Sequence, residues 1–192
     1  MKKNFAKVFI SAVVFVFLCL SVSAQVELMN QGVWKADVCE TGKVVPPAGD
    51  SGLMKNGVIK ATFTIPPDPE HGGKEWPFAE VIVAIKKDGS PVSFKGVTKI
   101  ELTYSSEWKT ILQLKMKKKI AEEGAEHCVV LKATKGKFVT VSFRPTQFKQ
   151  PGWTGKKTKL DLSQITQLIV QVEKGKGGTC TLQIKSLKIT GL

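Results

Sequence analysis

The chain has 192 residues, 42% of them hydrophobic, with 29 lysines and arginines against 16 acidic residues and a formal charge of +13. That length fits one domain with a real core and leaves no linker long enough to separate two. The charge is almost all lysine spread along every segment, with Arg144 the single arginine, so it describes a solvated surface drawn to anionic polymers rather than a basic helix that reads nucleic acid.

Lys2, Lys3 and Lys7 precede an apolar run over 8–20, which ends at Val22, Ser23 and Ala24. A basic start, a short apolar stretch and small residues before Gln25 predict a secretory signal peptide over 1–24. The run is shorter than the roughly 18–20 residues that span a bilayer, which argues against a membrane anchor. Cys19 would be a lipid attachment site only with small residues before it, and Val16, Phe17 and Leu18 stand there instead. The expected product is residues 25–192, secreted, periplasmic or held at the cell surface.

A first strand is expected over 33–38, with Trp34 on its core side, followed by a loop through Pro46, Pro47 and Gly49–Gly52. Segment 57–65 alternates cleanly, with Ile59, Ala61, Phe63 and Ile65 on one face and Lys60, Thr62 and Thr64 on the other. That is the pattern of a half-buried antiparallel strand. A polar loop over 66–77 holds His71 and Trp76, and the nearly all-apolar 78–86 reads as a central strand covered on both faces. Strands follow over 97–104, with Ile100, Leu102 and Tyr104 facing one way, and over 110–116. In the latter, Leu112, Leu114 and Met116 point inward, opposite Ile111, Gln113 and Lys115.

A charged loop over 117–126 precedes strands over 126–133 and 137–143, and two more are expected over 168–172 and 179–189. About nine short strands at spacings of roughly 10–15 residues, with no long amphipathic helix, predict an all-β sandwich or jelly roll of antiparallel strands.

Without Cys19 the chain keeps Cys39, Cys128 and Cys180, and an exported protein permits a disulfide. If the first strand pairs antiparallel with the last, the end of one meets the start of the other. Cys39 and Cys180 are then the expected bridge, with Cys128 a buried thiol. No Cys-x-x-Cys or paired-histidine pattern supports zinc.

Catalytic patterns are sparse. No G-x-S-x-G elbow is present, and His71 and His127 are the only histidines to serve as a base. Copper-dependent oxidation would want a histidine where Gln25 stands. Glu75, Glu80, Glu101, Glu107, Glu122, Glu123 and Glu126 supply carboxylates. A glycosidase would need two of them flanking one bond, and the expectation is solvated surface carboxylates and no enzyme.

The segment 137–192 has a recognisable order of parts: Phe138 opening a strand, Phe148 and Trp153 in the next loop, Leu160–Asp161–Leu162–Ser163, a strand over 168–172, glycines 175–178, and a final strand over 179–189. This order resembles the C-terminal half of the galactose-binding-like jelly-roll modules that bind carbohydrate and ride on plant-polysaccharide-degrading enzymes. The chain departs from that pattern at Phe138, where Trp is frequent, and at Lys185–Ser186, where acidic residues are frequent. The resemblance implies polysaccharide binding and, as in related jelly rolls, a place for a structural calcium, for which Asp37, Glu40 and Asp50 are the candidate ligands.

Sugar rings stack their C–H faces on aromatics and hydrogen-bond to planar polar groups. The expected carbohydrate-binding residues are therefore the loop tryptophans Trp76, Trp108 and Trp153, with Tyr104 at a strand end. Gln113 and Lys115 on an outward strand face complete the set, with Arg144 offering a bidentate fork. The reading is a secreted, non-catalytic protein that binds plant cell-wall polysaccharide, beside a partner enzyme or at the cell surface. The alternative is a cell-surface structural or protein-interaction sandwich that has lost the sugar groove.

Overall fold

The alternating apolar residues of the last fifteen positions form the longest strand of the protein, and the other elements assemble around it. The computed structural model describes residues 24–39, 42–46, 52–67, 78–117, 126–152, 157–172 and 177–192. In chain order these form β1 (Gln25–Glu27), α1 (Leu28–Gln31), β2 (Val33–Val38), β3 (Lys43–Val45), β4 (Met54–Lys55), β5 (Val58–Ile65), β6 (Ala79–Ala84) and β7 (Lys99–Ser106). There follow β8 (Thr110–Met116), β9 (His127–Leu131), β10 (Val139–Phe143), a 3-10 turn over Pro145–Gln147, β11 (Ile165–Val172) and β12 (Gly178–Thr190).

Two antiparallel sheets result. One runs β10-β7-β12-β5-β3, with β1 alongside β12 and β4 alongside β5, and the other runs β2-β6-β11-β8-β9. This is the expected sandwich. The apolar faces meet in one core, where Ile59, Phe63, Leu102, Leu182 and Ile184 from the first sheet and Val81, Leu112, Leu114, Leu168 and Val170 from the second are all essentially sealed from solvent. β6 lies between β2 and β11, as its nearly all-apolar run predicts, but its outer face, with Glu80 and Ala84 part-exposed, is not covered as expected. Trp34 is buried on β2, and its indole N–H donates to the Leu28 carbonyl at 3.1 Å, which ties α1 to the strand.

β12 changes the parity of its inward face once. Cys180, Leu182 and Ile184 are buried, and then Leu187 and Ile189. The pairing with β7 shifts between Ile184 and Ser186, which makes Lys185 the extra residue of a bulge. Without that residue, Leu187 and Ile189 would face solvent. Instead Lys185 turns outward, and its ammonium lies 5.9 Å from the centre of the Phe138 ring. Beyond the bulge, β1 takes over from β5 as the neighbour of β12, with Gln25 opposite Thr190.

Two expectations are corrected here. The first strand of the expected set, β2, pairs with β6 in the second sheet, while the strand that meets the end of β12 is the short β1. Cys39 therefore ends a strand of one sheet while Cys180 sits in the other, opposite Phe63. Cys39, Cys128 and Cys180 form no disulfide with one another, so the expected Cys39–Cys180 bridge is absent. Burial pushes the Cys180 thiol pKa up, and Sγ lies 3.8 Å from Ser106 Oγ. Cys128, expected to be buried, is only half-buried. The strands β1, β3 and β4, of two or three residues each, are too short to show a two-residue period and were not expected.

Deleting Lys185 should reverse Leu187 and Ile189 together, at roughly 2–5 kcal/mol for each lost side chain, which is comparable with the whole stability of a domain. The deletion variant is expected to show no cooperative thermal transition by circular dichroism, and a melt like that of the parent would contradict the bulge assignment. Cys39, Cys128 and Cys180 should each alkylate in denaturant without prior reduction, read by mass spectrometry. A melting temperature that fell with added dithiothreitol would contradict the absence of a disulfide.

Candidate functional site

The second sheet presents one face to the core and one away from it. Because the strands are in register, the residues of the outer face line up in rows across all five strands. One row reads Asp37, Glu80, Gln171, Ile111, Val130, and the next Lys35, Ile82, Ile169, Gln113, Cys128. A third reads Val33, Ala84, Gln167, Lys115. Ile82, Ile111 and Ile169 are buried although they stand apart from the main core, so they form an apolar floor under longer polar neighbours. Asp37, Glu80, Gln167, Gln171 and Lys115 are part-exposed and Lys35 is exposed, giving carboxylates, amides and ammonium groups on one surface.

The sequence places these groups by simple periodicity. Gln167 and Gln171 are four residues apart in β11, and Glu80 is the one charged residue inside an apolar strand. Gln113 is almost fully buried and donates its amide N–H to Gln171 Oε1, a diagonal pair between β8 and β11. Each amide fixes the orientation of the other, which is the order a hydrogen-bonding surface needs before a ligand arrives.

Glu80 carries the largest electrostatic disturbance of the face. Burial pushes its pKa up to about 7; Lys115 opposes the rise, Asp37 and Glu126 add to it, and Lys35 opposes it. Asp37 stands directly opposite Glu80 across the β2–β6 pair. A carboxyl that holds its proton near neutrality can donate a hydrogen bond as well as accept one, which suits hydroxyl-rich ligands.

At the β9 edge the chain crosses from one sheet to the other. After β10, the 3-10 turn leads to Lys149, which pairs with Cys128 through both N–H···O bonds, at 2.8 and 3.0 Å. Between this segment and the start of β8 lies an open cavity of about 410 Å³, walled by Ile111, Val130 and Phe143 and rimmed by Lys109, Gln147 and Lys149.

The expected site residues separate into three groups. Gln113 and Lys115 stand together on the outer face of the second sheet, in adjacent rows. Tyr104 and Trp108 do not join them. Tyr104 faces the core with Ile100 and Leu102 and donates its hydroxyl to the Lys132 carbonyl at 2.7 Å; burial raises its pKa. Trp108 is buried in a turn where Ser106 Oγ accepts its backbone N–H and donates to its carbonyl. Neither ring is open for stacking, because the same alternation that buries Leu102 also buries Tyr104 and the hydroxyl-bonded turn folds Trp108 inward. Arg144 is exposed at the end of β10, with its backbone N–H held by Gln147 Oε1 at 2.7 Å.

Trp76 and Trp153 lie outside the described residues, as do Glu40 and Asp50 of the expected calcium set. Asp37 faces Glu80, and among the described residues no three histidine, cysteine or carboxylate side chains converge on a metal position. The described outer face of the second sheet carries no aromatic side chain. No described helix is long and apolar enough to cross a membrane. Asp37, Glu80, Gln167, Gln171 and Lys35 are the members of the face not named as sugar-binding residues from sequence. The lone charge and paired glutamines inside apolar strands were the available signal.

Among solved structures, the chain is similar to the family 11 carbohydrate-binding module of the cellulosomal cellulase Lic26A-Cel5E of Clostridium thermocellum. The TM-score is 0.55 at 14% identity, covering 90% of this chain and 97% of that one. A family 11 module of the same organism in complex with a β-1,3-1,4-mixed-linked tetrasaccharide gives 0.54 at 14% identity, over 89% and 98%. The family 30 module of the cellulosomal cellulase Cel9D-Cel44B of Clostridium thermocellum gives 0.56 at 12% identity, over 88% and 98%. At these identities the likeness is one of architecture: the chain has the jelly-roll sandwich fold that carbohydrate-binding modules use. No protein-family profile and no curated protein sequence matches the chain.

The raised Glu80 pKa sets a pH dependence of stability. Between the ordinary value of 4.5 and about 7 the folded protein binds more protons than the unfolded chain, so this group's contribution to stability falls as pH rises through that window. The unfavourable contribution is complete above about 7 and absent below 4.5. Glu80→Gln is expected to stabilise the protein on the order of 2–3 kcal/mol at about pH 8 and to change little at about pH 4, measured by denaturant unfolding. Equal effects at both pH values would contradict the assignment.

Proposed function

We propose that this protein binds a polysaccharide, without catalysing its cleavage, on the outer face of the second sheet. One observation carries the reading: Lys35, Asp37, Glu80, Gln113, Gln171 and Lys115 form ordered rows on one sheet face, in a fold shared with carbohydrate-binding modules. Amides and carboxyls in fixed orientation match the alternating donors and acceptors of sugar hydroxyls. The tetrasaccharide held by one solved neighbour supports an extended glycan as the ligand class. Trp76 and Trp153 remain the stacking candidates from the sequence, an indole being the kind of apolar ring face that the described rows lack.

The proposal extends to setting and partners. The protein is exported after removal of residues 1–24 and acts in the periplasm, at the cell surface or outside the cell, on plant cell-wall polysaccharide beside a degrading enzyme. No cofactor enters the binding step.

Affinity electrophoresis of the purified protein in gels with mixed-linkage β-glucan, xylan, mannan or pectin, across a salt series, tests this reading. Retardation by a neutral glycan that survives high salt is expected. Gln171→Ala should weaken it about tenfold, the loss of one or two hydrogen bonds, and Trp76→Ala or Trp153→Ala should weaken it further. Retardation by no neutral glycan would overturn the proposal in favour of a protein-interaction sandwich, and release of reducing sugar would overturn its non-catalytic part.

A further inference from the structure

Resting on that reading, we infer that the cavity at the β9 edge is a subsite for an anionic sugar unit, a ring bearing a carboxylate or sulfate. The cavity continues the outer face. Ile111 and Val130, which wall it, are the last two positions of the row that begins Asp37, Glu80, Gln171. A glycan chain laid along that row ends in the cavity.

The two ends of the row differ in charge. Asp37 and Glu80 mark the β2 end. At the β9 end Lys109 and Lys149 rim the cavity, and its described lining contains no aspartate or glutamate. The β2 end mixes these carboxyls with Lys35 in the adjacent row, whereas the β9 end offers an anion only lysines, which favours the direction that places a charged unit in the cavity. The neutral or hydroxyl-rich part falls against the amides and carboxyls, and the charged unit falls between the lysines.

The cavity also has the mixed character a sugar ring needs. Its volume of about 410 Å³ lies within the range of roughly 300–1,000 Å³ for small-ligand pockets. Ile111, Val130 and Phe143 supply apolar contact for C–H groups. The Phe143 ring is held edge-on to Phe148 at 6.2 Å. The Gln147 carbonyl oxygen accepts the Arg144 N–H, so its amide nitrogen is the end offered to an acceptor. The two lysines are fixed at their roots. Lys149 is locked to Cys128 by its backbone, and Lys109 stands between buried Trp108 and Thr110.

The test compares dissociation constants for polygalacturonate, dextran sulfate and neutral mixed-linkage β-glucan by affinity electrophoresis, each normalised to mobility in glycan-free gel. Lys109→Gln with Lys149→Gln is set against Lys43→Gln with Lys60→Gln, an equal charge change on exposed positions of β3 and β5 in the other sheet. For the Lys109/Lys149 variant, the ratio of anionic to neutral dissociation constants is expected to rise about tenfold, roughly threefold per lysine, while the Lys43/Lys60 variant keeps the parent's ratio. Loss in the polygalacturonate arm assigns a carboxylate, and loss in the dextran sulfate arm assigns a sulfate. Equal loss in both variants would reduce the effect to net charge and overturn the subsite, as would no loss in either. Neutral-glucan binding that persists in the parent while the subsite fails leaves the broader reading standing; absence of neutral binding removes that reading independently.

Discussion

The two-residue period of β12, broken once at Lys185, holds the first sheet together. β12 pairs with β7 along one side and with β5 and then β1 along the other. Its apolar residues supply a large share of that sheet's contribution to the core. Strand alternation tolerates no slippage, since a one-residue shift exchanges the buried and exposed sets. The bulge lets a long strand keep its apolar side inward while its partner on one edge changes from β5 to β1. Gly191, at φ +89 just beyond the strand, then passes so close to Gly96 that an added Cβ would lie 2.3 Å from the Gly96 carbonyl oxygen. The end of β12 is thereby closed against the loop that leads into β7.

The second sheet is built under the opposite pressure. Its inner face is mostly apolar, with Thr110 and His127 as buried polar exceptions, while its outer face keeps polar and ionisable groups over an apolar floor. Burying Glu80 beside Asp37 is unfavourable for folding, and packing alone would favour apolar residues at these positions. Groups that destabilise a fold while sharing one surface are what a binding face retains, because the same incomplete satisfaction that weakens the apo protein leaves hydrogen-bonding capacity for a ligand. The Gln113–Gln171 pair shows the complementary strategy, with one amide spent on holding the other in place.

Charge divides the labour between reach and selection. Lysines spread over the surface attract any anionic polymer through long-range fields that salt screens at about 10 Å. Rows of amides and carboxyls act only at contact distance, where ring stereochemistry is felt. A face that joins carboxyls at one end to a lysine-rimmed cavity at the other combines both ranges, which is the basis of the direction proposed for a bound chain.

Much of the fold was legible in the sequence because alternation is a local property. The clean period of 57–65 and the apolar run of 78–86 placed β5 and β6 and predicted the central position of β6. The parity of 110–116 put Gln113 and Lys115 outward, where the structure has them. The same parity grouped Tyr104 with Ile100 and Leu102, and so already contained its burial, although its place at a strand end suggested a groove. Partner choice was not legible. Which strand lies beside which, and in which sheet, depends on contacts between residues far apart in the chain, and no local pattern encodes them. That is why the Cys39–Cys180 bridge was expected from a first-to-last pairing that the sheets divide between β1 and β2. By itself the sequence determined the strands, their inward faces and the lysine-rich surface. The tertiary structure decided that Asp37, Glu80, Gln171, Ile111 and Val130 fall in one row, because only pairing in register brings side chains from five separate strands onto a common line.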